Sequence, residues 1–230
     1  MQTRPRLAVL VSIFAALLLV AGCSSKTNDA PLPDAASLLK DSDQTTRKQQ
    51  SVHLDLAVTG KIKELPIESL SGDLTNTPVL AAQGKASIIA FGQTFKDVDF
   101  VITDGNLYGA LTPGSFTNFG PAADIYDASK ILNPDVGLAN VLDKFSDGKA
   151  EGRETINGVN TVKVSGKVAA DVVNGFAQLG ATGDVPATAW IKEDGDHDLV
   201  QAKLDPSQGN SVQMTLTDWG KAVTVTRPAA

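Results

Sequence analysis

One stretch decides the fold class of this chain: Asp97-Val98-Asp99-Phe100-Val101-Ile102-Thr103-Asp104-Gly105-Asn106-Leu107-Tyr108-Gly109-Ala110-Leu111. Val98, Phe100 and Ile102 recur with a period of two, which is typical of a strand with one buried face. Asp104-Gly105 is a favoured two-residue hairpin turn, because both residues tolerate positive φ. That turn pairs Ile102 with Leu107 and Val98 with Leu111, so the apolar residues of both strands share one face. The stretch therefore predicts an antiparallel hairpin with one apolar face.

The same period of two occurs on both sides of this hairpin. Before it, one apolar face is formed by Val52, Leu54, Leu56 and Val58, and another by Ala86, Ile88 and Ala90. After it, an Asn157-Gly158 turn joins two predicted strands, and residues 113–121, rich in Gly, Pro and Asn, are predicted to form a loop. The strands predicted in this second half are 151–156, 161–167, 187–192, 199–204, 212–219 and 223–226. We expect about ten or eleven strands in total.

About three helices interrupt the strands. Asp34 is a candidate N-cap for a helix that extends to about Gln50. Leu138, Val141, Leu142 and Phe145 lie at i, i+3, i+4 and i+7, which is one apolar stripe of a helix, and residues 168–179 can form a third. Because the helices fall between runs of strands, the pattern predicts an α+β fold: a large antiparallel sheet with helices grouped on one face.

The N-terminus reads as a bacterial lipoprotein signal. Arg4 and Arg6 precede an apolar stretch, residues 7–20, that is too short for a membrane-spanning helix. It ends in Val20-Ala21-Gly22-Cys23, small residues before the sequence's single cysteine, which is the pattern of a lipobox. We predict a signal peptide over 1–22, lipidation (palmitate and related acyl chains) at Cys23, an acylated tether over 23–33 and a single domain over 34–230. The protein is then exported and lipid-anchored to the outer face of the bacterial plasma membrane.

Composition narrows the possible partners. The formal net charge of −6 becomes −8 once Arg4 and Arg6 are removed, because 18 basic residues then face 26 acidic ones. Such a domain is not expected to bind nucleic acid, and its membrane attachment must come from the acyl anchor rather than from charge. Aromatic residues make up only 5% of the sequence. An aliphatic interior of that kind fits either an ordinary core or a smooth apolar cavity.

Reactive groups are scarce in the sequence. The chain has two histidines, His53 on the polar side of a strand and His197 in an acidic turn. It has no nucleophile elbow, HExxH, P-loop or dinucleotide-binding fingerprint. Asp97 and Asp99 are expected on the solvated side of their strand. We predict that the protein is not an enzyme, with no catalytic residue, no metal site and no cofactor.

Several segments of the chain resemble the mycobacterial LppX/LprG lipoprotein family, and in particular its LprG-like members. The lipobox is one of them, and Phe119-Gly120-Pro121-Ala122-Ala123-Asp124-Ile125-Tyr126-Asp127 is another. The other segments that carry the resemblance are 32–34, 70–74, 132–135, 137–142, 150–153, 155–158, 185–188 and 210–216. Together they span nearly the whole mature domain.

The resemblance implies a half-barrel, in which a strongly curved antiparallel sheet carries helices on its concave side and encloses a large apolar cavity. It implies binding of triacylated glycolipids, such as phosphatidylinositol mannosides and lipoarabinomannan, and of triacylglycerol, and work alongside a major-facilitator efflux transporter. Strand 84–92 would line the cavity mouth. From the alternation of residues we predict these lipid-binding side chains: Val52, Leu54, Leu56, Val58, Ala86, Ile88, Ala90, Val98, Phe100, Ile102, Leu107, Leu111, Leu138, Val141, Leu142 and Phe145.

Three functional hypotheses follow. The first is a cell-envelope carrier that takes triacylated lipids into its cavity and helps to move them across the envelope. The second is a scaffold lipoprotein that supports a transporter or envelope assembly without carrying lipid. The third is an envelope enzyme, which the scarcity of reactive groups disfavours.

Overall fold

Eleven antiparallel strands form a single sheet within residues 30–230, the part of the chain that the computed structural model describes. Leu32–Ala230 forms one compact unit. The strands are β1 (Ser51–Thr59), β2 (Ile67–Thr75), β3 (Ala81–Ala90), β4 (Gln93–Thr103), β5 (Asn106–Thr112), β6 (Ser115–Pro121), β7 (Ser146–Ile156), β8 (Val159–Val168), β9 (Val185–Lys192), β10 (Leu199–Ser207) and β11 (Asn210–Thr217).

The sheet consists of two meanders joined by one long-range pairing. Its strand order is β6-β5-β4-β3-β2-β1-β11-β10-β9-β8-β7, so every neighbour is sequential except β1 and β11. Leu54 pairs with Leu216 at that junction. Both central turns are as predicted: Ile102 pairs with Leu107 around Asp104-Gly105, and Ile156 pairs with Val159 around Asn157-Gly158.

Three short α-helices pack on one face of the sheet: α1 (Ala35–Thr46), α2 (Leu138–Asp143) and α3 (Ala170–Phe176). The predicted N-cap is confirmed, because the Ser37 amide donates to Asp34 Oδ1 at 2.8 Å, and this bond lowers the pKa of the Asp34 carboxyl. Glycines of the sheet allow close contact with side chains of α1 and of the segment that follows α2. Leu39 Cδ1 lies 2.9 Å from where a Cβ on Gly148 would be, and the Phe145 ring lies 2.6 Å from the same point on Gly166.

The fold class is confirmed, two local predictions are wrong, and one strand has no counterpart in the sequence analysis. Residues 113–121 are not all loop, since Ser115–Pro121 forms β6, whose pairing with β5 overrides its poor strand composition at a sheet edge. Ile67–Thr75 is a strand that the sequence pattern did not reveal. Residues 223–226 alternate like a strand but lie outside the sheet.

The C-terminal segment, residues 218–230, crosses the outer face of the sheet, opposite the helices. The Gly220 amide donates to the Ser51 carbonyl at 3.0 Å, and the Ser51 hydroxyl donates to the Lys221 carbonyl at 2.6 Å. Further along, the Arg227 guanidinium lies 5.6 Å from the centre of the Tyr108 ring, which is only 1% exposed. The segment thus covers aromatic surface on β5.

We expect Arg227→Ala to lower the free energy of unfolding by about 0.5–1 kcal/mol, the usual range for a cation–π pair at an exposed site. Denaturant unfolding measures the change. Lys221→Ala is the matched control, because the Lys221 ammonium forms an exposed ion pair with Asp218, three residues away, and should contribute less. Equal losses for both variants would show that Arg227 does not hold the segment to Tyr108.

Candidate functional site

The candidate site is the apolar inner face of the sheet, the face that carries the helices. In antiparallel strands directly paired residues lie on the same face, and Leu56 pairs with both Leu70 and Met214. The predicted residues Val52, Leu54 and Ile102 are buried in one continuous apolar core. Leu56, Val58, Phe100 and Leu107 are half-buried and pack against that core.

The five remaining predicted residues of the first meander lie beyond this core, towards the end of β3. Ala86 pairs with Val98 and both are buried, whereas Leu111 is 42% exposed. Ile88 and Ala90 are half-buried. Ile88, Ala90 and Leu111 therefore form an apolar rim of the inner face that is only partly covered.

A β-bulge lies within this rim and changes what the alternation predicts. Ala86 pairs with Val98 and Ile88 pairs with Phe95, so two residues, Lys96 and Asp97, face the single residue Ser87. Asp97 has a positive φ of 53°, as such bulges often require. Strict alternation places Ser87 in solvent, but Ser87 is only 9% exposed. Its hydroxyl oxygen accepts a hydrogen bond from the Asp97 amide at 3.5 Å.

The second meander and the helices form the deepest part of the interior. Leu138, Val141, Leu142 and Phe145 line an apolar pocket there, so the predicted stripe does face the sheet. Sequence reasoning missed the rest of the apolar lining, although period-two alternation in β9–β11 was a usable signal for most of it. The missed residues are Phe176, Ala187, Ala189, Leu199, Ala202, Leu204 and Met214.

This apolar pocket is narrow. Its free space is about 10 Å³, roughly what a single water molecule needs. The aliphatic side chains of the helices and strands fill the interior by packing against one another. An acyl chain can therefore enter this pocket only if the helices move away from the sheet.

Three glycines flatten the inner face of the first meander. Gly72, Gly84, Phe100 and Gly109 form one row across β2 to β5 through successive direct pairs. The Phe100 ring extends over Gly72, with Cζ 3.1 Å from where a Cβ would be. The Phe119 ring covers Gly109 in the same way, at 3.0 Å. Side chains here lie flat on a glycine floor instead of standing up from it.

The helical layer is held to the sheet by imperfect contacts. Ser42 and Thr46 on α1 are 0% and 3% exposed, yet their hydroxyl oxygens make no hydrogen bond within residues 30–230. A buried polar group without a partner typically costs about 1–3 kcal/mol. Neither α2 nor α3 has a side-chain N-cap, and helices this short depend on packing for their stability. These features lower the cost of moving the helices.

Two titratable groups in or next to the helical layer have raised pKa values. Burial raises the pKa of the Asp43 carboxyl on α1, while Arg47, with Nε 2.7 Å away, opposes that effect. Burial also raises the pKa of Tyr126, so its hydroxyl stays protonated and donates to the Phe176 carbonyl at 3.3 Å. That bond ties α3 to the connection that follows β6.

A second pocket, about 240 Å³ and mainly polar, lies on the outer face beneath the C-terminal segment, and His53 is in its wall. His53 is half-buried rather than fully solvated: Nδ1 is 2.7 Å from Asp73 Oδ1, and Nε2 is 3.5 Å from Ser71 Oγ. The contacts Asp73–His53–Ser71 resemble a hydrolytic triad, but the three residues are neighbours on the paired strands β1 and β2. The backbone around Ser71 is engaged in the β1–β2 and β2–β3 ladders, whereas a triad needs free amides for an oxyanion.

Residues 30–230 contain neither a metal-binding cluster nor a membrane-spanning helix. Within residues 30–230, no group of three or more His, Cys, Asp or Glu side chains is placed to hold a metal ion. Over the same part of the chain, no helix has the length and apolarity needed to cross a membrane. The predicted signal peptide and Cys23 fall outside the described residues.

A curved antiparallel sheet that carries short helices over an aliphatic interior defines the class of this protein, a half-barrel suited to apolar ligands. The family model described as LppX_LprAFG lipoprotein matches residues 34–225. The chain therefore belongs to the LppX/LprA/LprF/LprG lipoprotein family.

Relatives and solved structures agree with this assignment. The chain is 62% identical to the lipoarabinomannan carrier protein LprG of Mycolicibacterium smegmatis, with 100% of each chain covered. It is 53% identical to the protein of that name in Mycobacterium tuberculosis, over 97% of this chain and 95% of that one. The crystal structure of LprF from Mycobacterium bovis matches with a TM-score of 0.79 and 33% identity, covering 87% of this chain and 100% of that one. Mycobacterium tuberculosis LppX matches with a TM-score of 0.66 and 30% identity, covering 84% and 98%.

Proposed function

We propose that this lipoprotein is a lipid-anchored carrier in the cell envelope, which takes the acyl chains of triacylated lipids into the space between its helices and the inner face of its sheet. The observation that carries the proposal is the continuous aliphatic inner face, covered by helices that are weakly held. The name of its LprG relatives, lipoarabinomannan carrier protein, points to the same role. Lipoarabinomannan, phosphatidylinositol mannosides and triacylglycerol are the proposed cargo.

The proposal extends to the anchor and to a partner. Residues 1–22 are removed on export, Cys23 is acylated, residues 23–33 form the tether, and residues 34–230 form the lipid-binding domain. The protein then resides on the outer face of the plasma membrane. A major-facilitator efflux transporter is the proposed partner that gives transfer its direction, since the chain itself offers no nucleotide-binding motif.

Energetics favour exchange between two apolar environments. Three chains of about 16 carbons represent a gross transfer free energy from water of about 38 kcal/mol, at about 0.8 kcal/mol per methylene. That exceeds the practical limit of about 18–21 kcal/mol for non-covalent affinity, so the lipid never passes freely through water. Moving chains from a bilayer into the protein exchanges one apolar environment for another, and its net free energy can be small. The helices packed on the sheet keep the apolar interior out of water.

The narrow apolar pocket also fits the alternative role, a scaffold that supports a transporter or envelope assembly without carrying lipid. To separate the two, the full chain is expressed in a mycobacterial host, purified in its acylated form and extracted with organic solvent for mass spectrometry. We expect about one triacylated lipid per protein molecule in the extract. The acyl chains on Cys23 do not confuse the result, because they stay covalently attached. A protein that yields no stoichiometric lipid under these conditions is a scaffold.

A further inference from the structure

The β3–β4 hairpin ends in an apolar tip that the packing of the domain does not explain. Phe91 is 91% exposed and its neighbour Ile89 is 42% exposed. Ala90 pairs with Gln93, so Phe91-Gly92 is the complete two-residue turn. A large aromatic ring here contributes almost nothing to the core and would be costly to leave in water.

The conformation of Phe91 makes its presence more unusual. Within residues 30–230, both residues have positive φ in three two-residue turns: Phe91-Gly92, Asp104-Gly105 and Asn157-Gly158. Aspartate and asparagine suit the first position of such a turn, whereas phenylalanine at φ 52° is strained. Phenylalanine at this tip therefore suits neither the positive φ of the turn nor exposure to water. This combination indicates a contact outside the domain.

The position of the tip within the sheet indicates which partner it contacts. The β3–β4 tip lies at the end of the sheet where β7 begins and β8 ends, because every pairing is antiparallel. Helix α1 starts at this same end, since Ala35 Cβ lies 4.0 Å from where a Cβ on Gly148 of β7 would be. The C-terminal end of α1 lies at the opposite end of the strands, where the Thr45 hydroxyl donates to the Asp196 carbonyl. The chain that leads back to Cys23 thus leaves the domain at the end that carries Phe91.

The connection to Cys23 is short enough to bring this end onto a membrane. Ten residues lie between Cys23 and Asp34, so the two can be at most about 40 Å apart when this segment is fully extended. Next to the tip, the β1–β2 loop places Lys61 and Lys63 in solvent and contacts β3 through the Ile89 amide, which donates to the Pro66 carbonyl. Lysines and acids such as Glu64 and Glu68 are mixed here, so charge does not select the partner.

We propose that the β3–β4 tip inserts Phe91 into the apolar surface of the bilayer to which the protein is anchored, and so presents the uncovered rim of the inner face to the lipids. The proposal rests on the proposed function for the anchor and for the meaning of the rim. The rim residues Ile88 and Ala90 lie on β3 and Leu111 lies on β5, so acyl chains would pass from the bilayer onto β3–β5 without crossing water. Insertion depends on the apolar ring and not on anionic lipid.

A fluorescent probe at two matched turns tests the insertion. The sequence has a single cysteine, Cys23, and acylation blocks its thiol, so Phe91→Cys and Asn157→Cys can each be labelled uniquely with an NBD dye in the acylated mature protein. Asn157 is exposed in a turn of the same type at the opposite end of the sheet. In phosphatidylcholine vesicles containing spin-labelled lipid, the dye at position 91 should shift to the blue and be quenched, and the dye at 157 should do neither. Adding anionic lipid should leave both results unchanged.

Two outcomes would overturn the proposal. One is a dye at position 91 that stays as water-exposed as the dye at 157. The other is a blue shift that appears without vesicles and grows with protein concentration, which would mean that a second copy of the chain covers the tip. Phe91→Asn should keep the thermal midpoint, because asparagine suits positive φ, while slowing lipid transfer between vesicles several-fold. If the tip inserts but the wild-type protein transfers no lipid, the docking proposal stands and the carrier proposal fails.

Discussion

Replacing Gly84 with alanine is expected to lower the free energy of unfolding by about 3 kcal/mol, at the upper end of the usual cost of overpacking. A Cβ at this position would lie 2.1 Å from the Ser71 carbonyl oxygen and 2.6 Å from the Gly72 Cα. Both are backbone atoms of β2, held by the β1–β2 and β2–β3 ladders, so they cannot move aside as a flexible side chain can. Equilibrium denaturation of the variant in urea measures the loss.

Gly152→Ala is the matched control for this prediction. Gly152 is also in a strand, β7, but a Cβ there would meet nothing within 4 Å. We expect that variant to remain within about 0.5 kcal/mol of the wild type. Equal stability of the two variants would show that β2 and β3 separate easily at Gly84, and that the glycine floor of the inner face is not fixed by close backbone contact.

A disulfide between α1 and the sheet is expected to abolish lipid loading. Ala35 Cβ lies 4.0 Å from where a Cβ on Gly148 would be, within the range of about 3.5–4.5 Å between the Cβ atoms of a disulfide. Leu39 Cδ1, 2.9 Å from the same point, is the end of a flexible side chain and can shift. The double variant Ala35→Cys, Gly148→Cys should therefore close α1 onto β7 when oxidised.

The expected loss of lipid loading follows from the narrow apolar pocket, whose free space is about 10 Å³. If acyl chains enter only when the helices leave the sheet, the oxidised variant should carry at least tenfold less triacylated lipid, a penalty of about 1.4 kcal/mol or more. Reduction of the same sample should restore loading, so the variant is its own control for folding. Mass spectrometry of extracted lipid, before and after reduction, gives both values. Unchanged loading in the oxidised form would mean that the chains enter without movement of α1.

Much of the fold could be predicted because its signals are local. The turns Asp104-Gly105 and Asn157-Gly158 fix the register of their hairpins through positive φ, and the Asp34 cap fixes the start of α1. The helical stripe that begins at Leu138 was placed correctly against the sheet. The residues predicted to bind lipid do lie on the inner face or on the helices that cover it. Whether they contact lipid stays a prediction.

The errors arose where a residue's environment depends on distant parts of the chain. Ser87 was expected in solvent, but two residues of β4 bulge opposite it and bury it. Residues 223–226 have the alternation of a strand, yet they cross the outer face because β1 already pairs with β2 and β11. Strand β6 has weak strand composition and exists because β5 offers it an edge.

The sequence by itself determined the class of fold, the hairpin registers, the helical stripe and the apolar face, because each depends on residues within one or two turns of each other. Tertiary structure alone decided the pairing of β1 with β11, which brings Leu54 and Leu216 together across most of the domain. It also decided the free space of about 10 Å³ in the apolar pocket between the helices and the sheet. Alternation shows which side chains face inward, but how tightly they fill the space depends on how far the helices approach the sheet, and close contacts such as Phe145 on Gly166 set that distance.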